Sequence, residues 1–173
     1  MAEVAVADKI KVGELREFID RYAEAWDAHD GDALAACCHD EIVWEDPALA
    51  TPLHGPAEVA QFLRDSVAAF SDLAFEWTGE PAVSTDKVTA YVPWQMMGTN
   101  DGPIDPPGFP PTGRYIDIAG IDIWQFRDGK LWTYRAVYDF TALGRQLGLA
   151  PAPGSMPERV MVKAAQLRAK LPV

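Results

Sequence analysis

Three residues far apart in the chain have side chains able to hold or pass a proton: Tyr22, Asp46 and Asp122. Asp122 has the strangest setting. It sits in the run Ile121-Asp122-Ile123-Trp124-Gln125-Phe126, where an ionised carboxylate is costly to bury unless it is paired or protonated. Asp46 ends the segment Glu41–Asp46 (EIVWED) directly before Pro47, a place that equally suits a turn or cap. Tyr22 falls on the apolar stripe of a helix, where a tyrosine is more often a core residue with a satisfied hydroxyl. Two carboxylates and a phenol point to proton transfer and hydrogen-bond donation. Other chemistries have no signature. His29, His39 and His54 lack ligand spacing and read as surface or capping residues, so no metal site is expected. There is no glycine-rich phosphate loop and no serine or cysteine nucleophile in a recognisable setting, and no cofactor is called for.

The elements that must position these groups follow from periodicity. Leu15, Phe18, Ile19, Tyr22 and Trp26 mark a first amphipathic helix ending near Ala28. Asp30 or Asp32 can cap a short second helix through Ala33–Cys38. A strand at Glu41–Asp46 and a loop at Ala48–Gly55 lead to Pro56, suited to the first position of a third helix. The stripe of that helix is Val59, Phe62, Leu63, Val67 and Phe70. Strands are expected near Leu73–Thr78 and Lys87–Met97, turning around Ser84-Thr85-Asp86. The loop Gly98–Gly113, with five prolines and four glycines, can be neither helix nor strand interior. With Ile104 and Phe109 at its tip it suits a cavity lid, a clasp on another subunit or a plain excursion.

The run Arg114–Asp139 is broken once, at Asp128-Gly129, a strong hairpin signal because both central residues of a type I′ turn need φ > 0. One face of the hairpin is expected to carry Ile121, Ile123, Trp132, Tyr134 and Tyr138, the other Ile118, Trp124, Phe126, Leu131 and Val137. So apolar a pair calls for cover on both faces, by helices closing a pocket on one and by a second subunit on the other. The register decides the nature of Asp122. A clean two-residue hairpin puts it opposite Arg135 as a salt-bridged carboxylate; a bulge moves it to the face of Tyr134, Ala136 and Tyr138, where it could stay neutral. Thr141–Leu149 reads as a short helix, Pro151–Gly154 as a linker, and Ser155 with Pro157 as the start of a last helix with stripe Val160, Ala164, Leu167 and Leu171. That helix is basic, through Arg159, Lys163, Arg168 and Lys170, and is expected to dock across its own domain or a neighbour.

A chain of 173 residues with 49% hydrophobic content is expected to form one domain over 1–173, with 150–173 as a C-terminal extension. A net charge of −11 argues against nucleic acid or an anionic membrane as partner. No apolar run reaches 18 residues and the N-terminus shows no secretory pattern, so a cytoplasmic protein is expected. Cys37 and Cys38, adjacent on the presumed second helix, cannot form a framework disulfide. The order of elements gives an α+β fold, a curved mixed sheet wrapping a long helix, whose mouth would form a pocket.

Taken together, Asp20–Pro47 (DRYAEAWDAHDGDALAACCHDEIVWEDP) and Ile121–Phe126 followed by Gly129-Lys130-Leu131 resemble the ketosteroid isomerases of the nuclear transport factor 2-like superfamily, alongside SnoaL-like polyketide cyclases. The resemblance spans roughly Leu15–Tyr138 and implies a cone-shaped, mostly antiparallel sheet. It also implies roles: Asp46 as the base beside a carbonyl, with Tyr22 and a protonated Asp122 as donors to the enolate oxygen. That opposed protonation of two carboxylates belongs to ketosteroid isomerase itself and comes here with the likeness. Local sequence adds its own reason, since Ile121, Ile123 and Trp124 desolvate Asp122 while Asp46 stays wetter. The implied pocket is lined by Trp26, Trp44, Phe62, Trp94, Phe109, Trp124, Tyr134 and Tyr138. It would hold a small hydrophobic, steroid- or polyketide-like molecule for isomerisation or cyclisation, or merely bind it, in a homodimer formed through the sheet. Trp94-Gln95-Met96 and Ala136 stand where limonene epoxide hydrolases carry Arg-x-Asp and Asp, so epoxide opening is not implied.

Overall fold

Leu15, Phe18, Ile19, Tyr22, Ala25 and Trp26 bury one side of α1 (Val12–Asp27). This is the stripe that the sequence periodicity requires. The computed structural model describes residues 7–105 and 107–169. Asp30 then caps α2 (Gly31–Ala36) by accepting from the backbone N–H of Asp32 and Ala33 at 2.9 and 3.0 Å. The second helix ends two residues earlier than expected, because Cys37 caps it and Cys38 already opens β1 (Cys38–Glu45). Both thiols are free and buried, and burial pushes the Cys38 thiol up to about 12. A two-residue β2 (Leu53–His54) leads through Gly55, at φ +80, to α3 (Pro56–Ala69).

The remaining strands are β3 (Ala74–Trp77), β4 (Ala82–Val83), β5 (Thr89–Thr99), β6 (Tyr115–Arg127) and β7 (Lys130–Tyr138). They are followed by α4 (Phe140–Gln146) and α5 (Met156–Arg168). Among the described residues the seven strands form one curved, unclosed sheet in the order β2-β1-β7-β6-β5-β3, with β4 paired to β5. Only the β1–β7 pair is parallel. Helices α1 and α3 pack on the concave side, and the core lies between them and the sheet. This is the α+β cone expected from the order of elements.

The hairpin turn is as expected, with Asp128 and Gly129 at φ +50 and +71. Its ladder is not clean. Arg127 pairs with Lys130 and Phe126 with Leu131, but Gln125 pairs with Thr133, so Trp132 is an extra residue on β7. Half-buried, it packs its ring under the Arg127 guanidinium at 5.6 Å. One inserted residue reverses which side chains of β7 face inward. Leu131, Tyr134, Ala136 and Tyr138 therefore join Ile118, Asp122, Trp124 and Phe126 on the inner face, while Ile121, Ile123, Arg135 and Val137 face out. This corrects the expected grouping, which placed Tyr134 and Tyr138 with Ile121 and Val137 with Trp124.

Two further differences concern loops and the C-terminus. β5 runs through Gly98 to Thr99, so the proline-rich loop starts only at Asn100. Fully buried, Asn100 ties the neck of that loop. Its amide donates to the carbonyls of Ala69 (3.0 Å) and Gly102 (2.9 Å), and its Oδ1 accepts from the Thr112 backbone N–H (2.8 Å) and hydroxyl (3.0 Å). Further out, Ile104 and Phe109 form a single antiparallel bridge. Where β7 stops, α4 takes over the free edge of β6: the Gln146 amide accepts from Asp117 N–H at 2.7 Å and donates to Asp117 C=O at 2.9 Å. By contrast, α5 buries no side chain. The expected docking on its own domain is absent among the described residues, and Leu171 lies outside them.

Candidate active site

The bulge at Trp132 sets the site, because it puts Asp122 opposite Ala136 instead of Arg135. Arg135 points outward and pairs with Glu45. Asp122, 2% exposed, accepts two hydrogen bonds on one oxygen, Oδ1: from the Trp94 indole N–H at 2.6 Å and from the Tyr134 hydroxyl at 2.8 Å. Trp94 reaches it by lying flat over Gly120, where any Cβ would run into the indole ring. Burial raises the Asp122 carboxyl to about 8; the Tyr134 and Trp94 hydrogen bonds oppose that rise, and the charge on Asp46 adds to it. Below about pH 8 Asp122 therefore carries a proton. With Oδ1 taken by two donors, that proton belongs on Oδ2.

Asp46 comes level with Ala136, since the preceding Glu45 pairs with Arg135. The two carboxylates thus flank the small Ala136 along one line across the sheet, with Cα atoms roughly 10 Å apart at normal strand spacing. Half-buried, Asp46 accepts at Oδ1 from the Tyr138 hydroxyl and from the Ala48 N–H, both at 2.8 Å. Burial raises its carboxyl and these two hydrogen bonds hold it down, with a net upward shift. It is less wet than the sequence suggested. The Tyr138 ring packs edge-on to Trp94 at 5.8 Å, so Asp46, Tyr138, Trp94 and Asp122 form a continuous chain of contacts.

On α1, Tyr22 is buried, 4.9 Å from the Trp124 ring. Its phenol is pushed far up, first by burial and then by the charge on Asp122, so it is a donor and never an anion in this interior. One turn further, Trp26 packs against Phe75 at 4.7 Å. Across the sheet, Trp44, Tyr134 and Trp124 stand side by side in register. Trp44 stacks on Tyr134 at 3.5 Å, and Phe62 from α3 closes on Trp44 at 5.9 Å. The indole N–H groups of Trp44 and Trp124 are buried without an acceptor.

The inner side therefore brings together Tyr22, Asp46 and Asp122 with Trp26, Trp44, Phe62, Trp94, Trp124, Tyr134 and Tyr138. Phe109 stands apart, 42% exposed on its loop. The pairing of Tyr134 with Asp122 is the one the bulged register foresaw, and the pairing of Tyr138 with Asp46 escaped the sequence. Each spans two strands, and only the register creates it. Two surface hollows of about 640 and 500 Å3 lie at the other end of the sheet, by the Gly129 turn, and neither is lined by the three acid–base residues. The wall of the first mixes alanines with the surface charges of Arg21, Glu24, Asp30 and Lys130, and that of the second carries Asp8, Lys9, Glu14, Glu17 and Arg21.

The profile of the SnoaL-like domain matches residues 19–134, two thirds of the chain. The chain belongs to the SnoaL-like domain family. No curated protein matches it. Among solved structures, this SnoaL-like chain is similar to TsrD from Streptomyces laurentii, at 24% identity and TM-score 0.69, covering 82% of this chain and 99% of that one. A candidate SnoaL-like polyketide cyclase from Jannaschia sp. CCS1 aligns at 17% identity and TM-score 0.68, over 84% of this chain and 99% of the other. A protein with a ketosteroid isomerase-like fold from Catenulispora acidiphila, solved in complex with trimethylamine, aligns at 14% identity and TM-score 0.64, over 80% and 97%. At these identities the likeness establishes the fold of the SnoaL-like chain. None of its described helices is long and apolar enough to cross a membrane.

Proposed function

We propose that this SnoaL-like protein is an acid–base enzyme acting through the enolate of a hydrophobic carbonyl compound, as a cyclase or an isomerase. The observation that carries the reading is Asp122: a buried acid, protonated below about pH 8, with its free oxygen left as the donor. Asp46 removes a proton from the carbon beside the carbonyl. The C–H electron pair becomes the enolate double bond, and the carbonyl π pair moves onto oxygen. The Oδ2–H of Asp122 and the Tyr22 hydroxyl donate to that oxygen, stabilising charge that appears only as the proton leaves. In isomerisation the protonated Asp46 returns its proton to another carbon; in cyclisation the enolate carbon attacks a second carbonyl of the same molecule, whose π pair moves onto its oxygen and takes the proton back from Asp46. The upward shift of Asp46 suits the role, because a carboxylate nearer neutrality is a stronger base.

Solvent deuterium incorporation into a β,γ-unsaturated ketone, together with binding of a naphthol that mimics the enolate, tests this. Wild type should exchange and bind naphthol, losing exchange as pH rises through about 8, where Asp122 gives up its proton. Asp46→Asn should lower exchange by about 100-fold or more while naphthol still binds, and Asp122→Asn with Tyr22→Phe should weaken naphthol. Naphthol bound tightly without exchange at any pH would make the protein a binder of small apolar ligands. Equal exchange in Asp46→Asn would remove Asp46 as the base.

A further inference from the structure

Gly120 stands in the middle of β6, paired with Trp94 on β5 and with Tyr138 on β7. A glycine inside a strand weakens it, having no side chain to pack and more backbone freedom to lose. Its backbone does not ask for glycine, since Gly120 is not among the residues at positive φ. Space does. A Cβ at this position would come within 2.4–2.8 Å of three atoms of the Trp94 indole, all in its six-membered ring. The missing side chain of residue 120 is the seat of that indole.

The seat aims the indole N–H along the sheet. Directly across the ladder from Asp122 stand Val92 on β5 and Ala136 on β7, whose side chains cannot hydrogen-bond. Its two donors come from the diagonals instead: Trp94, two residues beyond Val92, and Tyr134, two residues before Ala136. Diagonal positions lie about 7–8 Å apart, within reach of aromatic and long side chains. Both rings are braced. Trp94 packs edge-on to Phe75 at 5.7 Å and to Tyr138 at 5.8 Å, and Tyr134 stacks on Trp44 at 3.5 Å. From two different strands, both donors end on the same oxygen, Oδ1.

We infer that Trp94, seated on Gly120, is a positioning residue for the acid: with Tyr134 it clamps Oδ1, so that the carboxyl cannot turn about its Cβ–Cγ bond and Oδ2–H keeps one direction. This rests on the reading of Asp122 as donor to the enolate oxygen. An unclamped carboxylic acid exchanges its oxygens by a half-turn, and its donor then faces the reacting oxygen only part of the time. A fixed donor needs no such reorganisation as charge develops. The clamp also sets acidity. Burial raises the Asp122 pKa, and the Tyr134 and Trp94 hydrogen bonds hold it down to about 8. Among the described residues, the other titratable groups facing Asp122 are Tyr22 from α1 and Asp46 beyond β1, while Arg135 faces out to Glu45.

Carboxyl 13C NMR reads the titration of Asp122 without turnover, and so separates the clamp from the reaction. Trp94→Phe keeps a ring against Phe75 and Tyr138 but removes the N–H. Gly120→Ala keeps the indole and takes away its seat. In both, and in Tyr134→Phe, the Asp122 midpoint should move up from about 8 by about one unit, because a hydrogen bond to the ionised form is lost. The alkaline limb of solvent exchange should move with it, and naphthol should bind about tenfold more weakly. Tyr134→Phe, which loses only a hydroxyl, decides the point where the larger changes do not fold. A midpoint that stays near 8 in the variants, whatever their stability, would overturn the clamp and leave the indole a packing residue. Naphthol held as tightly by the variants as by the wild type would overturn it equally. A wild type that shows no exchange, with a midpoint that still moves in the variants, would remove the reaction and retain the clamp.

Discussion

A buried carboxylic acid held by two donors on one oxygen behaves differently from an ion pair, and its signature is in pH. Asp122 titrates at about 8 in the folded chain, raised by burial against the pull of Tyr134 and Trp94, but near the ordinary carboxylate value when unfolded. Between those values the folded state keeps a proton that the unfolded state has lost. Stability must therefore fall as pH rises through this window and level off above about 8, by at most about 1.4 kcal/mol per unit. Asp122→Asn keeps an acceptor for Trp94 and Tyr134 and a donor in place of Oδ2–H, without the ionisation. Urea unfolding at pH 5, 6.5 and 8 should show the wild type losing up to about 4 kcal/mol relative to Asp122→Asn. A parallel pair of curves would mean that Asp122 is ionised in the folded chain throughout.

At the scale of elements, two devices hold the site. The bulge at Trp132 turns Tyr134 and Ala136 inward and Arg135 outward, which separates Asp122 from the only cation that the clean register would have placed beside it. Asn100 closes the neck of the proline-rich loop through four hydrogen bonds made at full burial. In Asn100→Ala the carbonyls of Ala69 and Gly102 and the N–H of Thr112 lose these partners. The cost should be about 2–4 kcal/mol in chemical unfolding. The loop between Asp101 and Thr112 should also become the first site of proteolytic cutting, while the hairpin stays protected. Unchanged proteolysis would show that the Ile104–Phe109 bridge suffices to hold the loop.

For the whole molecule, α5 and the outer sheet face both leave large apolar side chains exposed. If a second copy covers them, folding is linked to association and Tm should rise when the protein is concentrated about a hundredfold. In the Val160→Glu/Leu167→Glu variant Tm should stay constant over the same range, measured by differential scanning calorimetry. A concentration-independent Tm in the wild type would count against a dimer.

The sequence alone determined what is local. The stripe of α1 follows from a 3.6-residue period, the turn at Asp128-Gly129 from φ > 0, and the start of α3 at Pro56 from a ring that fixes φ. It also marked Asp122, because an acid in an apolar strand is conspicuous in any register, while Tyr22 and Asp46 were marked by the family resemblance. Tertiary structure decided which way those groups point. A single extra residue in β7 reversed the inner and outer faces, since side chains in a strand alternate with period two and no local preference records where a bulge will fall. Tyr134 and Trp94 reach Asp122, and Tyr138 reaches Asp46, through strand pairing, whereas the Ala48 N–H comes to Asp46 from the local turn. The freedom of α5 was likewise beyond its amphipathic pattern, because a pattern states that a face needs cover and only packing shows whether the domain supplies it.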